Sequence, residues 1–181
     1  MKILCRNNVN LRNLPHKKHL FSMSLNINKP DLDQLIASEN LNNSIIELDN
    51  YICKLGDWGN NLTALSYPQI AFYFNQELER EVNNGGFDQY FSNSSGMYAD
   101  ETIKTLKLIG ADKTAKILEA AIEPFPNKTV PVDRDLRQQI LDKIRENSEA
   151  LWEVLTEQFF LYEDDLNQLN MDFVKKNKEH F

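Results

Sequence analysis

The sequence predicts an all-α protein, a single compact helical domain of about seven helices. Apolar residues recur at three- and four-residue steps through most of the chain beyond Pro30. No stretch of convincing length alternates with the period of two that a half-buried strand requires. Gly, Pro and clusters of Asn and Ser interrupt the helical pattern about once per helix. With 181 residues, 41% apolar and 26% charged, the chain can bury a core without disulfides or a metal.

Charge divides the chain. Residues 1–29 hold Lys2, Arg6, Arg12, Lys17, Lys18 and Lys29 and no acid, so they carry +6. The net charge of −7 therefore leaves −13 on residues 30–181. We expect 1–29 to be a basic, disordered N-terminal segment and 30–181 to be the helical domain, because the first segment has no sustained apolar period. Met23 offers an alternative start, and a basic arm that touches a partner is the functional alternative for the segment.

The helices follow in order. Leu32, Leu35 and Ile36 mark a short first helix after Asp31. Ile45, Leu48, Ile52 and Leu55 mark a second over about 43–55, stopped by Gly56. In the turn-rich Gly56–Asn61 that follows, Trp58 is expected as a core plug, with an interface anchor as the alternative. Ser66 or Tyr67 caps a helix over 67–82, with Pro68 in its first turn. Ile70, Phe74 and Leu78 form its stripe, and the neighbouring aromatics place it at the centre of the core. Glu77, Glu79 and Glu81 oppose its macrodipole, a misfit that Arg80 can offset.

The connector after this helix reads Asn83-Asn84-Gly85-Gly86-Phe87-Asp88-Gln89-Tyr90-Phe91, then Ser92 to Gly96. Gly85 is expected to be the left-handed residue that ends the helix. Phe87, Tyr90 and Phe91 stand at i, i+3, i+4, which turns three rings to one face and into the core. Two helices, 99–109 and 113–123, then form a hairpin about Gly110, the second capped by Asp112. A Pro-containing loop leads to the last long pattern, 135–162, with Leu136, Ile140, Ile144, Leu151, Leu155, Phe159 and Tyr162 as its apolar stripe. A final helix falls in 166–181.

That long helix carries a second pattern. Asp142, Glu146, Glu149, Glu153 and Glu157 recur at steps of 4, 3, 4 and 4. They stack on the side away from the apolar stripe, on the order of 5–6 Å apart along the axis. Glu163, Asp164 and Asp165 prolong the acidity. Such a row could imitate the phosphates of one DNA strand, since Arg and Lys groups built for DNA accept any anionic ridge of suitable shape. It is also what any surface helix presents, with Lys143 and Arg145 as local partners.

Several classes are disfavoured. All three histidines, His16, His19 and His180, lie near the ends, so 31–175 lacks the commonest acid–base group and metal ligand. Cys5 and Cys53 follow no paired or metal-ligand spacing, which suits a reduced cytoplasmic setting. No run of apolar residues is long enough for a membrane span. The acidic body repels phosphates, so direct nucleic-acid binding is not expected, nor is a cofactor.

The connector, together with Thr105-Leu106-Lys107-Leu108-Ile109-Gly110-Ala111 downstream, resembles the signature of the bacterial DNA-mimic protein family over about residues 45–165. In that resemblance Asn84, Gly85, Gly86, Phe87, Tyr90 and Phe91 are the structural motif. It implies a non-catalytic acidic protein that occupies the DNA-binding surface of a basic, transcription-factor or nucleoid-type protein, and it is compatible with a homodimer. Asp142, Glu146, Glu149, Glu153, Glu157, Glu163, Asp164 and Asp165 are then the candidate partner-binding surface. Two other classes stay open. An immunity or antitoxin-like protein would use the same acidity against a basic toxin. A carboxylate-based, metal-binding enzyme would use Glu77, Glu81 and Asp88 near the connector.

Overall fold

Residues 28–181 are described by a computed structural model of the protein; the expected basic segment lies outside them except for Asn28 and Lys29. Seven α-helices and no strand occur among the described residues. They are α1 (Leu32–Ala37), α2 (Leu41–Leu55), α3 (Tyr67–Ser92), α4 (Ala99–Ile109), α5 (Asp112–Ile122), α6 (Arg134–Phe160) and α7 (Leu166–Lys176).

Local chemistry sets most of the starts. Asp31, Asn40, Asp133 and Asp165 each accept a backbone N–H at the head of their helix. Ser66 and Gln69 form a reciprocal capping box at α3, with Pro68 in the first turn. The expected cap of α5 by Asp112 does not form, because Asp112 is already helical. Asp164, from the loop after α6, accepts the Thr114 N–H at 2.8 Å instead. A distant carboxylate thus fastens two elements while satisfying a helix start.

α3 is the central element and packs on α2, α4, α6 and α7. Phe72, Leu78, Val82, Phe87, Tyr90 and Phe91 are fully buried along it. α6 runs beside it, and the α4–α5 hairpin closes the other side against both. A polar thread crosses this core. Asn75 of α3 donates to Asn170 of α7 at 3.0 Å, and its carbonyl accepts from Thr105 of α4 at 2.8 Å. One apolar-looking interior therefore contains a hydrogen-bonded junction of three helices, which fixes their register more narrowly than packing alone.

Three further expectations are corrected by the structure. The helix does not stop at Gly85; α3 continues to Ser92 through a kink. Gly85 has φ −169°, and the left-handed residue is Gly86, at φ 68°. Trp58 is no core plug: it is 58% exposed, because left-handed backbone at Asp57 and Trp58 carries the indole outward.

The third correction concerns α6. Leu136, Leu151 and Tyr162 are exposed, and the buried residues are Arg137, Leu141, Ser148, Trp152, Leu155 and Phe159. Leu155 and Phe159 are buried as expected and Ile140 and Ile144 partly so, but the centre of the face is turned by roughly 60° on the helix, because Arg137 and Ser148 are polar and dropped out of an apolar pattern.

Candidate functional site

The connector is a joint between α3 and α6. At Gly86 a Cβ would stand 2.9 Å from the Thr156 hydroxyl, so both the positive φ and the approach of α6 require glycine. At Gly96 a Cβ would meet the backbone of Tyr90 and Phe91 at 2.7 Å, so the chain folds back there over the end of its own helix. Asn84 and Gly85 are exposed at the kink. Below the kink, Phe91 packs on Phe125 and Trp152 with centroids 4.9 and 5.5 Å apart, and Phe87 meets Phe159 edge-on at 6.3 Å. Edge and tilted geometries of this kind add to simple burial.

The end of α3 leaves backbone carbonyls in need of donors, and α6 supplies them. Arg137 is 1% exposed and donates to Phe91 O, Asn93 O, Pro131 O and Val132 O. Gln138 donates to Ser92 O at 2.9 Å. Arg145 pairs with Asp88 at 2.8 Å and reaches the Ser92 hydroxyl. The positive guanidinium also suits the negative end of the helix dipole. Sequence reading missed Arg137 altogether; the signal it left was an arginine in phase with Leu141, Trp152, Leu155 and Phe159.

The kink also holds the acids expected to misfit. Arg80 contacts both Glu77 and Asp49. Burial pushes the Glu77 and Glu79 carboxyls above their ordinary value, against the opposing pull of Arg80 on Glu77 and of hydrogen bonds from Tyr162 and Gln76 on Glu79. Glu81 accepts from the side chains of Gln89 and Asn93. Glu77, Glu81 and Asp88 are thus each committed to different partners. Among the described residues no group of three or more His, Cys, Asp or Glu side chains could hold a metal ion.

The carboxylates of the outer surface behave differently. Asp142, Glu146, Glu149, Glu153 and Glu157 are all exposed on α6. At ~100° per residue they fall within about 80° of one another. Asp142 lies 3.5 Å from Arg145. Glu146, Glu149, Glu153 and Glu157 make no ion pair or hydrogen bond through their side chains among the described residues. The acids beyond the helix are engaged: Glu163 pairs with Lys113, Asp164 caps α5 and Asp165 caps α7. The eight candidates therefore divide into a helical row, four of whose members lack a partner, and a loop trio that works within the fold. Between the row and the buried face lies an apolar flank, where Leu136, Leu151, Val154 and Leu161 are 49%, 39%, 51% and 68% exposed.

The structure is thus an all-α domain with an aromatic joint braced by Arg137 and Arg145, whose longest helix turns an acidic row to the outside. The family model described as DMP19-like protein matches residues 63–177, from just before α3 to the end of α7. The chain belongs to this family, a group of DNA-mimic-like proteins, which in general implies interaction with a DNA-binding protein. No curated protein and no solved structure matched the chain. No helix among the described residues is long and apolar enough to cross a membrane.

Proposed function

We propose that this protein is a non-catalytic DNA mimic that covers the DNA-binding surface of a basic protein with the outer face of α6. The observation that carries the reading is the row Glu146, Glu149, Glu153 and Glu157, exposed and without partners on a helix of a DNA-mimic family member. Its spacing supports the imitation. Steps of three and four residues put one carboxylate every ~5–6 Å of axis, against one phosphate every ~3.4 Å along a DNA strand. The row thus reaches more than half the linear charge density of one strand, on side chains long enough to adjust to guanidinium groups.

The apolar flank supports a second element of the proposal, a homodimer. Val154 and Leu151 stand about 100° and 160° from the centre of the acidic row, although Val154 neighbours Glu157 one turn on, so the apolar flank lies beside the row and offers a second copy a surface of its own. A buried, unpaired Cys53 suits a reducing, cytoplasmic setting.

The test is capture from native host lysate at low and moderate salt, followed by competition with duplex DNA. The expected result is a basic DNA-binding protein that is displaced by DNA and lost with salt. Retention of a toxin that DNA does not displace would overturn mimicry in favour of an immunity role. For the dimer, Val154→Lys is expected to shift the molecular mass measured by light scattering to that of one chain; an unchanged mass contradicts this face.

A further inference from the structure

A small cavity opens between residues 56–61, the middle of α3 and the turn Ser94–Tyr98. Its volume is about 90 Å³, several times the ~10–15 Å³ that one water needs. Trp58, Tyr73, Phe74, Tyr90 and Tyr98 contribute to its wall. Phe74 and Tyr98 stack there with centroids 4.7 Å apart. Glu77 is the single ionised group of the lining, and no Lys, Arg or His belongs to it.

The charge around this carboxylate is not balanced. Behind the wall, Glu77 and Asp49 share the one guanidinium of Arg80, which leaves a net negative charge. Cys53 beside them adds no cation, and burial together with Asp49 pushes its thiol up to about 12. Asp100 and Glu101 at the start of α4 extend the negative field across Tyr90 and Tyr98. The Tyr73 hydroxyl makes no hydrogen bond within the fold among the described residues, and Tyr73 lines the cavity. Gly59 approaches it so closely that a Cβ would lie 2.6 Å from that oxygen.

The rim is strained as well as aromatic. Asp57 and Trp58 hold φ of 49° and 52°, in the left-handed region that bulky side chains avoid. The fold gains little in return, since the Trp58 indole is mostly exposed. Strain of this kind gathers where a side chain is presented to a ligand.

We infer that this cavity binds an alkylammonium group, with the aromatic faces around the cation and the Glu77 carboxylate as its counter-ion. Ring faces attract a cation through their quadrupole, most strongly for Trp and where water is excluded. A half-buried carboxylate with a surplus of negative charge behind it adds a charge-assisted hydrogen bond. The Tyr73 hydroxyl offers a further acceptor. The volume suits an ammonium head with its methyl or methylene neighbours and excludes anything much larger. Two sources share this chemistry: a lysine side chain of a basic protein, or a free small amine. The first would add a lysine anchor to the proposed partner interface, but the site does not depend on that interface.

The test uses the full chain and small cations. Tetramethylammonium chloride and n-butylammonium chloride are titrated while the Trp58 indole N–H resonance is followed, with NaCl at equal ionic strength as the control. A saturable shift with the ammonium salts alone is expected. Affinities of the variants are read by isothermal titration calorimetry, because Trp58→Ala removes the reporting indole. Trp58→Ala, at an exposed position, and Glu77→Gln, which leaves Asp49 to Arg80, should each weaken binding at least about tenfold relative to the wild type. Absence of saturation, an equal response to NaCl, or equal affinity in both variants would overturn the site. Nα-acetyl-lysine amide binding as well as butylammonium would identify a protein lysine as the source; clear preference for the free amines would identify a small amine. The variant with Glu146, Glu149, Glu153 and Glu157 changed to Gln should bind these cations as the wild type does, which separates this inference from the DNA-mimic reading.

Discussion

The two sides of α6 use polar residues in opposite ways. On the inner side, Arg137, Gln138, Ser148 and Trp152 each give their hydrogen bonds to a backbone carbonyl of the fold. On the outer side, Glu146, Glu149, Glu153 and Glu157 give theirs to nothing within the described residues. A buried polar group left alone costs more than a bond gains, so the inner set is held by folding. The outer set gains the fold nothing and costs it only the mutual repulsion of like charges one turn apart, about 0.2–0.5 kcal/mol per pair, so folding does not hold it in place. The comparison teaches that stability and function lie on different faces of one helix and should respond separately to mutation.

The largest expected effect is on the inner side. Trp152 packs on Phe91 and Phe125 and donates to Ala121 O at 2.9 Å. Trp152→Ala should destabilise by about 3–5 kcal/mol in urea denaturation. Arg137→Met keeps much of the volume but strips donors from the carbonyls at the end of α3. A loss of about 2–4 kcal/mol is expected; a loss under about 0.5 kcal/mol would mean that water replaces the guanidinium. Gly86→Ala should cost about 1–2 kcal/mol, since the new Cβ meets both a left-handed backbone and Thr156.

A smaller effect of opposite sign is expected at Glu79. Burial raises its carboxyl above the ordinary 4.5 in the folded chain. The folded state then holds the proton over a window where the unfolded state has lost it, so stability falls as pH rises from 4.5 to the raised value, and the penalty persists above it. Glu79→Gln should therefore raise Tm at pH 7. The gain should fade as pH falls through that window and vanish below 4.5, where both states are neutral. A Tm difference independent of pH would assign the effect to packing instead.

Much of the fold was legible in the sequence, and the failures have physical causes. The fold class, the central place of α3 and the α4–α5 hairpin follow from apolar spacing and from the Ser66, Pro68 and Gly110 signals, which are local. The family was legible in the connector, where Gly86 admits the approach of α6, Gly96 folds the chain back over Tyr90 and Phe91, and the aromatics fill the joint. The phase of α6 was not, because Arg137 and Ser148 are buried through bonds to residues far away in the chain, and Leu136 and Leu151 are apolar yet exposed. The outward turn of Trp58 depends on backbone angles that no side-chain pattern announces. The acids of α6 could be read as a row, but their lack of partners could not. Conversely, nothing local marked Asp164 as the cap of a helix 50 residues earlier.

The most direct test of the account is the salt dependence of affinity for the captured partner, measured for the wild type and for the chain with Glu146, Glu149, Glu153 and Glu157 all changed to Gln. The urea midpoint of the variant should match the wild type or rise slightly, as repulsion along the row is relieved, while its affinity drops at least about tenfold at low salt and its salt dependence flattens. Equal affinity and an equal salt slope in a folded variant would contradict the outer face of α6 as the binding surface.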